Sequence, residues 1–298
     1  MAGWTAHFPK ELADILSMGH QFLQEKTMEI RFRSGRPIMI SDGQRMLAWD
    51  GAAWQKELPA GKQGAFSEGE LRKLFEHLTG GSLYRLEEEL QNGYLTLPGG
   101  HRLGFCGRAV LEKGKIKTMR EISFMNFRLA REVPGCLEPW IELLVRDKRW
   151  LSTLIIAPPL GGKTTLLREM IRLASGGTKV KGITIPGYNV SVVDERSELA
   201  GSWRGIPQFD LGPRSDVLDG CPKAQGMMLM IRSMGPQILA VDEIGKKEDI
   251  EALKEAIACG ITVFATVHGR SREEVEARPG MQALLDNSIF ERILLLGG

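Results

Sequence analysis

The chain has 298 residues, long enough for two domains that each bury a core. Its formal net charge of +2 excludes a bulk electrostatic case for a nucleic-acid partner. Cys106, Cys136, Cys221 and Cys259 form no CxxC pair and read as buried, reduced thiols of a cytosolic protein, and His7, His20, His77, His101 and His268 lie too far apart for a local metal motif.

The N-terminal stretch MAGWTAHFPKELADIL lacks a signal-peptide core, and no apolar run approaches the roughly 18 residues of a membrane span. Any membrane connection is therefore expected to run through partners. Glu29 to Ile40 and Tyr94 to Val110 alternate apolar and polar residues around glycine turns, the pattern of half-buried antiparallel strands. Between them, Leu71, Leu74, Phe75 and Leu78 recur three to four residues apart within Ser67 to Leu90, which predicts a helix. Residues 1–132 are thus expected to form a small α+β domain. After Val133-Pro134-Gly135, Leu137 to Trp150 reads as a connecting helix with Pro139 in its first turn, making 133–150 a linker.

From residue 151 the rhythm becomes strand, helix, strand, the signature of an α/β parallel-sheet domain over 151–298. Strands are predicted at Leu151 to Ile156, Asn189 to Val193, Ile238 to Val241, Ile261 to Thr266 and Arg292 to Leu296. Thr178 to Val190 reads as a surface loop. The first strand runs into Ala157-Pro158-Pro159-Leu160-Gly161-Gly162-Lys163-Thr164-Thr165 and then a helical pattern, which fits GxxxxGK(S/T) except at its first position. A Gly-rich turn entering a helix aims backbone N–H groups at an anion. Lys163, placed on an exposed rim, would reach the β- and γ-phosphates of ATP, and the Thr164 hydroxyl would hold Mg²⁺. Ala157 requires an ordinary backbone conformation where glycine would permit a positive φ. The bland alternative is a strand–turn–helix connection with a solvated lysine.

The next three strands also end in polar groups: DERSE (Asp194 to Glu198), DEIG (Asp242 to Gly245) and TVHG (Thr266 to Gly269). In an open parallel sheet the ligand crevice lies at the carboxyl ends of the strands, so all would reach one rim. Asp242 would hold the waters of a phosphate-bound Mg²⁺ and Glu243 would orient or deprotonate an attacking water, a pairing that favours hydrolysis. The alternative for this pair is a helix N-cap with first-turn charge.

VVDERSELAG, GIPQFDLGPRSDVLDGCPKAQGMMLMIRSMGPQILAVDEIG and ATVHG, with EIRFRSGRPIMI and LPGGHRLGFCGRAVLEKGKIKTMREISFMNFRLARE in the first half, resemble the stage III sporulation AA family. These are bacterial ATPases of endospore formation, similar to the motor ATPases of type II and type IV secretion. The resemblance covers most of the chain. It implies a RecA-like P-loop domain, with Lys163, Glu243, His268, Asp194 and Glu195 in catalysis, His268 sensing the γ-phosphate, and Asp242 associated with Mg²⁺. It also implies a homo-oligomer, a hexameric ring in the mother-cell cytoplasm, energising a channel of membrane-embedded sporulation proteins. An arginine from a neighbouring subunit would complete the site, from among Arg102, Arg108, Arg120, Arg196, Arg204, Arg214 and Arg232. Against the family pattern, Ala157 and Leu160 occupy loop positions often held by small residues, and a short C-terminal extension is expected beyond LLLGG.

Two other classes fit the same core. A nucleic-acid-dependent ATPase would use Lys113, Lys115, Lys117, Arg120 and Arg128 as a basic stripe, although Phe124 and Phe127 are the only stacking aromatics among them. A nucleotide-gated scaffold would bind ATP with little turnover.

Overall fold

The computed structural model describes residues 3–59, 61, 63–80, 90–91, 93–159, 161–180, 182–278, 280–286 and 289–297. The chain forms two compact units, Met1–Arg131 and Glu132–Gly298.

The first unit is built on a seven-stranded antiparallel sheet. Its strands are β1 (Glu29–Arg33), β2 (Met39–Ser41), β3 (Met46–Trp49), β4 (Trp54–Gln55), β5 (Tyr94–Thr96), β6 (Arg102–Glu112) and β7 (Lys115–Arg128). Their order across the sheet is β4-β3-β2-β1-β7-β6-β5. Period-two alternation buries Ile30 and Phe32 of β1, Leu103 and Phe105 of β6, and Met125 and Phe127 of β7 in one core. Helix α1 (Lys10–Phe22) reaches that core closely at Gly19, where a Cβ would collide with Ile40 and Trp54. Helix α2 (Glu68–Thr79) begins with a capping box between Ser67 and Glu70 and buries Leu71, Leu74, Phe75 and Leu78, the four apolar positions that predict it. It closes on Gly80 in the left-handed conformation, and its expected continuation through residues 81–89 lies outside the described residues. The β6–β7 hairpin runs well past the core. Its register shifts at Gly107, where a Cβ would strike the carbonyls of Arg120 and Glu121, and its tip is the turn Lys113-Gly114, both at positive φ.

The second unit carries a six-stranded, wholly parallel sheet of β8 (Thr153–Ala157), β9 (Val190–Asp194), β10 (Ser215–Asp219), β11 (Ile238–Val241), β12 (Thr262–His268) and β13 (Arg292–Leu295), in the order β10-β9-β11-β12-β8-β13. Strands β8, β9 and β11 are buried on both faces, which is why they read as continuous apolar runs. Successive residues feed opposite cores. Leu154, Ile156, Leu239 and Val241 pack with Met227 and Met230 of α4 (Lys223–Met234) and Ile250 and Leu253 of α5 (Lys247–Ala258). Ile155, Val192, Ala240 and Phe264 pack with Leu167, Met170 and Ile171 of α3 (Lys163–Gly176).

Four expectations are corrected. In place of a helix over Leu137 to Trp150, one helical turn, Ile141–Leu144, leads into a hairpin pairing Val145–Arg146 with Arg149–Trp150. Buried Leu137, Ile141 and Leu144 mimic a helical stripe, while Asp147 and Lys148 make the left-handed turn without the usual glycine. Residues 178–190 are not a plain loop: Thr178–Val180 pairs with Ile183–Ile185. Strand β10 was not expected, because its alternation of acids and aliphatics leaves it half-buried on the sheet edge. The thiols are not buried: Cys106 and Cys259 are exposed, and Cys136 and Cys221 are intermediate.

Candidate functional site

The carboxyl ends of β8, β9, β10, β11 and β12 lie along one rim. Register sets Ala157 opposite His268, Asp194 opposite Asp219, Val193 opposite Val241, and Val241 opposite Ala265. β8 therefore neighbours β12, which bears His268, and β12 in turn neighbours β11, which leads to Asp242.

Ala157 is the last, fully buried residue of β8, so it is extended and needs no positive φ. The turn that follows includes Pro158 and Pro159, while Leu160 lies outside the described residues. Gly161 donates its N–H to the Pro158 carbonyl at 3.0 Å, and a Cβ on it would sit 2.9 Å from that of Ala157. Gly162, at φ +83°, N-caps α3 without a side-chain acceptor. The first-turn N–H groups of a 14-residue helix thus have no side-chain cap, the arrangement that receives an anion. Thr165 lies one position past Thr164 in the first turn and is half-buried.

Lys163 is 7% exposed, and the expectation of an exposed rim position is corrected. Its Nζ lies 3.2 Å from His268 Nε2, and the same Nε2 lies 3.3 Å from Glu243 Oε1. The buried His268 Nδ1 has no hydrogen-bond partner among the described residues. On the far side of Glu243, Oε2 is 3.6 Å from Arg196 Nη1.

Two hydroxyls converge on Asp242. Thr164 Oγ1 donates to Oδ2 at 3.0 Å, and Thr266 Oγ1 donates to Oδ1. Thr266 also accepts the Glu243 backbone N–H at 2.9 Å, holding Glu243 at φ +50°, a left-handed conformation uncommon outside glycine. One buried hydroxyl therefore fixes both acids. Sequence reasoning passed over Thr266; its signal was a hydroxyl at a strand end two residues before His268.

Asp194 is tied into a backbone loop. It is 1% exposed and accepts the N–H groups of Glu198, Leu199 and Ala200 at 2.8–3.0 Å. Arg168 of α3 grips the same loop from its carbonyl side, donating to Leu199 O at 2.8 Å and Glu198 O at 2.7 Å, with its guanidinium over Phe209. Burial is the largest influence on the Asp194 carboxyl and, with Asp219 and Asp242 nearby, pushes it up to about 6 against the lowering effect of the N–H donors. Glu195 pairs with Lys223 at the start of α4. The pocket here is lined by Asp194, Glu195, Arg196, Lys223, Asp242 and Glu243.

The arginines divide. Arg196 reaches Glu243; Arg214 donates to Ser175 O at 2.9 Å inside the fold; Arg204 lies over Trp203. In the first unit Arg102 lies over Tyr94, Arg108 pairs with Glu121 at 3.7 Å, and Arg120 is exposed. Arg232 lies in the last turn of α4.

Among the described residues no group of three His, Cys, Asp or Glu side chains could hold a metal alone. One hydroxyl and one carboxylate side by side suit Mg²⁺, which keeps water and phosphate oxygens as its remaining ligands. With the Thr164 proton committed to Asp242, the threonine lone pairs are left for a cation.

Residues 10–298 match the protein family described as "Sporulation stage III, protein AA". Stage III sporulation protein AA of Bacillus subtilis (strain 168) is 43% identical over 270 residues, 90% of this chain and 81% of its own length. Among solved structures, the Legionella pneumophila ATPase DotB matches with a TM-score of 0.57 at 17% identity, over 95% of this chain and 73% of that one. The pilus retraction motor PilT with bound ADP matches with a TM-score of 0.56 at 16% identity, over 96% and 76%. At such identity these two likenesses show the fold: a RecA-like α/β unit preceded by an antiparallel-sheet unit.

Proposed function

The chain belongs to the family Sporulation stage III, protein AA, and on that premise we propose that it is a Mg²⁺-dependent, ATP-hydrolysing motor subunit. The observation that carries the reading is the convergence of three segments: Lys163 and Thr164 from the loop, Asp242 and Glu243 after β11, and Thr266 and His268 from β12. The first turn of α3 and the Lys163 ammonium bind the β- and γ-phosphates. Thr164 and Asp242 would hold Mg²⁺, which would supply positive charge against the developing charge of the phosphates. Glu243, fixed by Thr266, orients a water in line with the γ-phosphate and takes its proton. Asp194 shapes the loop carrying Glu195 and Arg196. Ala157, Pro158, Pro159, Gly161, Gly162 and Thr165 supply the walls of the phosphate seat.

The motor reading extends to assembly. The subunit forms a homo-oligomeric ring, a hexamer, in which an arginine of one copy completes the site of the next, and the ring energises a trans-envelope channel of membrane-embedded proteins during endospore formation. No described helix is long and apolar enough to cross a membrane. The test is ATP binding and turnover against protein concentration, with Lys163→Ala alongside. The reading expects turnover per subunit to rise with concentration, and Lys163→Ala to lose ATP binding without loss of thermal stability, because it removes a buried ammonium. Unchanged ATP affinity in that variant removes the phosphate-loop assignment. Full specific activity of a dilute monomer removes the shared site.

A further inference from the structure

Beyond the core, the β6–β7 hairpin is an amphipathic ribbon. Leu111 faces Ile116 and Ala109 faces Met119 across the two strands, and the extra β7 residue at the register shift between Val110 and Leu111 keeps these four side chains on one face. Met119 rests on the core of the first unit, whereas Leu111 is 63% and Ile116 45% exposed. The neighbouring pairs, Arg108 with Arg120 and Val110 with Thr118, occupy the other face. Around the turn stand Lys113, Lys115 and Lys117, with Lys117 matched by Glu112 at 3.0 Å. Over residues 108–121 five cations stand against two carboxylates. Arg128 lies at the other end of β7, opposite Glu29, so the basic stripe is confined to the tip and its flank.

We propose that this tip docks directly on anionic lipid, the Leu111–Ile116 pair entering the headgroup boundary while the lysines take the surface charge. Charge and side-chain chemistry choose this occupant. Long lysine stems keep their ammonium groups at headgroup level while neighbouring aliphatic chains go deeper. A second copy docked two-fold at this tip would bring one cationic ribbon against another. A nucleic-acid strand would want stacking rings, and residues 108–121 contain no aromatic residue. The inference stands independently of nucleotide hydrolysis, since neither the Leu111–Ile116 pair nor Lys113, Lys115 and Lys117 belong to the phosphate site.

The experiment is flotation of the full chain with phosphatidylglycerol-containing vesicles and with pure phosphatidylcholine vesicles, at low and high salt. Wild type should float with the anionic vesicles, less so at high salt, and stay behind with the neutral ones. At about five-fold per lysine, K113Q/K115Q/K117Q lowers partitioning roughly a hundred-fold. L111S/I116S, which leaves every charge in place, lowers it about thirty-fold. Both variants keep the wild-type circular dichroism and lipid-free ATPase rate. Equal binding to the two vesicle types, or wild-type binding by either variant, overturns the proposal. So does loss of single-stranded oligonucleotide binding with vesicle binding intact, which makes the tip a nucleic-acid surface. A change of assembly mass with vesicle binding intact overturns it too, making the tip a subunit contact.

Discussion

The Lys163 ammonium and the His268 imidazole are hydrogen-bond partners, Nζ to Nε2 at 3.2 Å, and the same ring nitrogen lies 3.3 Å from Glu243. A γ-phosphate oxygen seated on Lys163 must share it with this imidazole or displace it. On the proposed reading the ring therefore links phosphate binding to the carboxylate that would handle the water.

From that linkage, His268→Ala should keep ATP affinity within a few-fold but lose the distinction between ATP and ADP, whose difference is the group the ring would touch. Titration calorimetry with ADP and a non-hydrolysable ATP analogue checks it. A wild-type affinity ratio in the variant makes His268 structural.

Glu243→Gln keeps the shape of the side chain and the Thr266 contact to its backbone but cannot accept a proton. Nucleotide binding should persist while turnover falls by roughly 10²-fold or more. Normal turnover would leave Glu243 a structural residue only.

Thr266→Val, close to isosteric, strands the Glu243 N–H and one Asp242 oxygen without their hydroxyl partner. Each unpaired buried group costs roughly 1–3 kcal/mol of stability. Displacement of the two acids should lower kcat by about 10²-fold with little change in KM, and the Mg²⁺ concentration for half-maximal rate should rise. Thr266→Ser should restore all three. If serine fails as badly as valine, the methyl group matters and the hydroxyl does not.

Asp194 gives a pH dependence with a definite sign. Its folded value of about 6 lies above the ordinary 3.8, so between these values the folded chain holds a proton that the unfolded chain has released. The contribution is present below pH 4 and is lost as pH rises through 6, amounting to the order of 3 kcal/mol. Urea unfolding of wild type and Asp194→Asn from pH 4 to 7 should diverge accordingly. Parallel curves would mean that the N–H donors of the 198–200 loop keep the carboxylate ionised throughout.

The parallel sheet was legible because buried strands such as TLIIA and ILAV are apolar without interruption, and the rim because each of them ends in a polar group. The strand–turn–helix at the loop was legible from Gly162-Lys163-Thr164 set between an apolar run and a helical pattern. What stayed hidden depends on three-dimensional partners. Lys163 looks solvated in sequence, yet its burial follows from His268, 105 residues away. The family resemblance implies a catalytic role for Asp194, but the three N–H groups it accepts come from the irregular loop behind it and are not marked in the sequence. The hairpin at Asp147-Lys148 was missed because its left-handed turn carries no glycine.

The order of strands also bears on how the chain is made. β13, residues 292–295, is hydrogen-bonded to β8, the strand that leads into the phosphate loop. A ribosome has released the whole antiparallel sheet of the first unit long before it supplies this last partner. Until then one edge of β8 presents a row of unpaired peptide groups on an apolar strand, the template on which chains pair wrongly. Nucleotide-binding capacity should therefore emerge only once residues 292–295 have left the ribosome, and nascent chains stalled before residue 292 should be the form that chaperones bind.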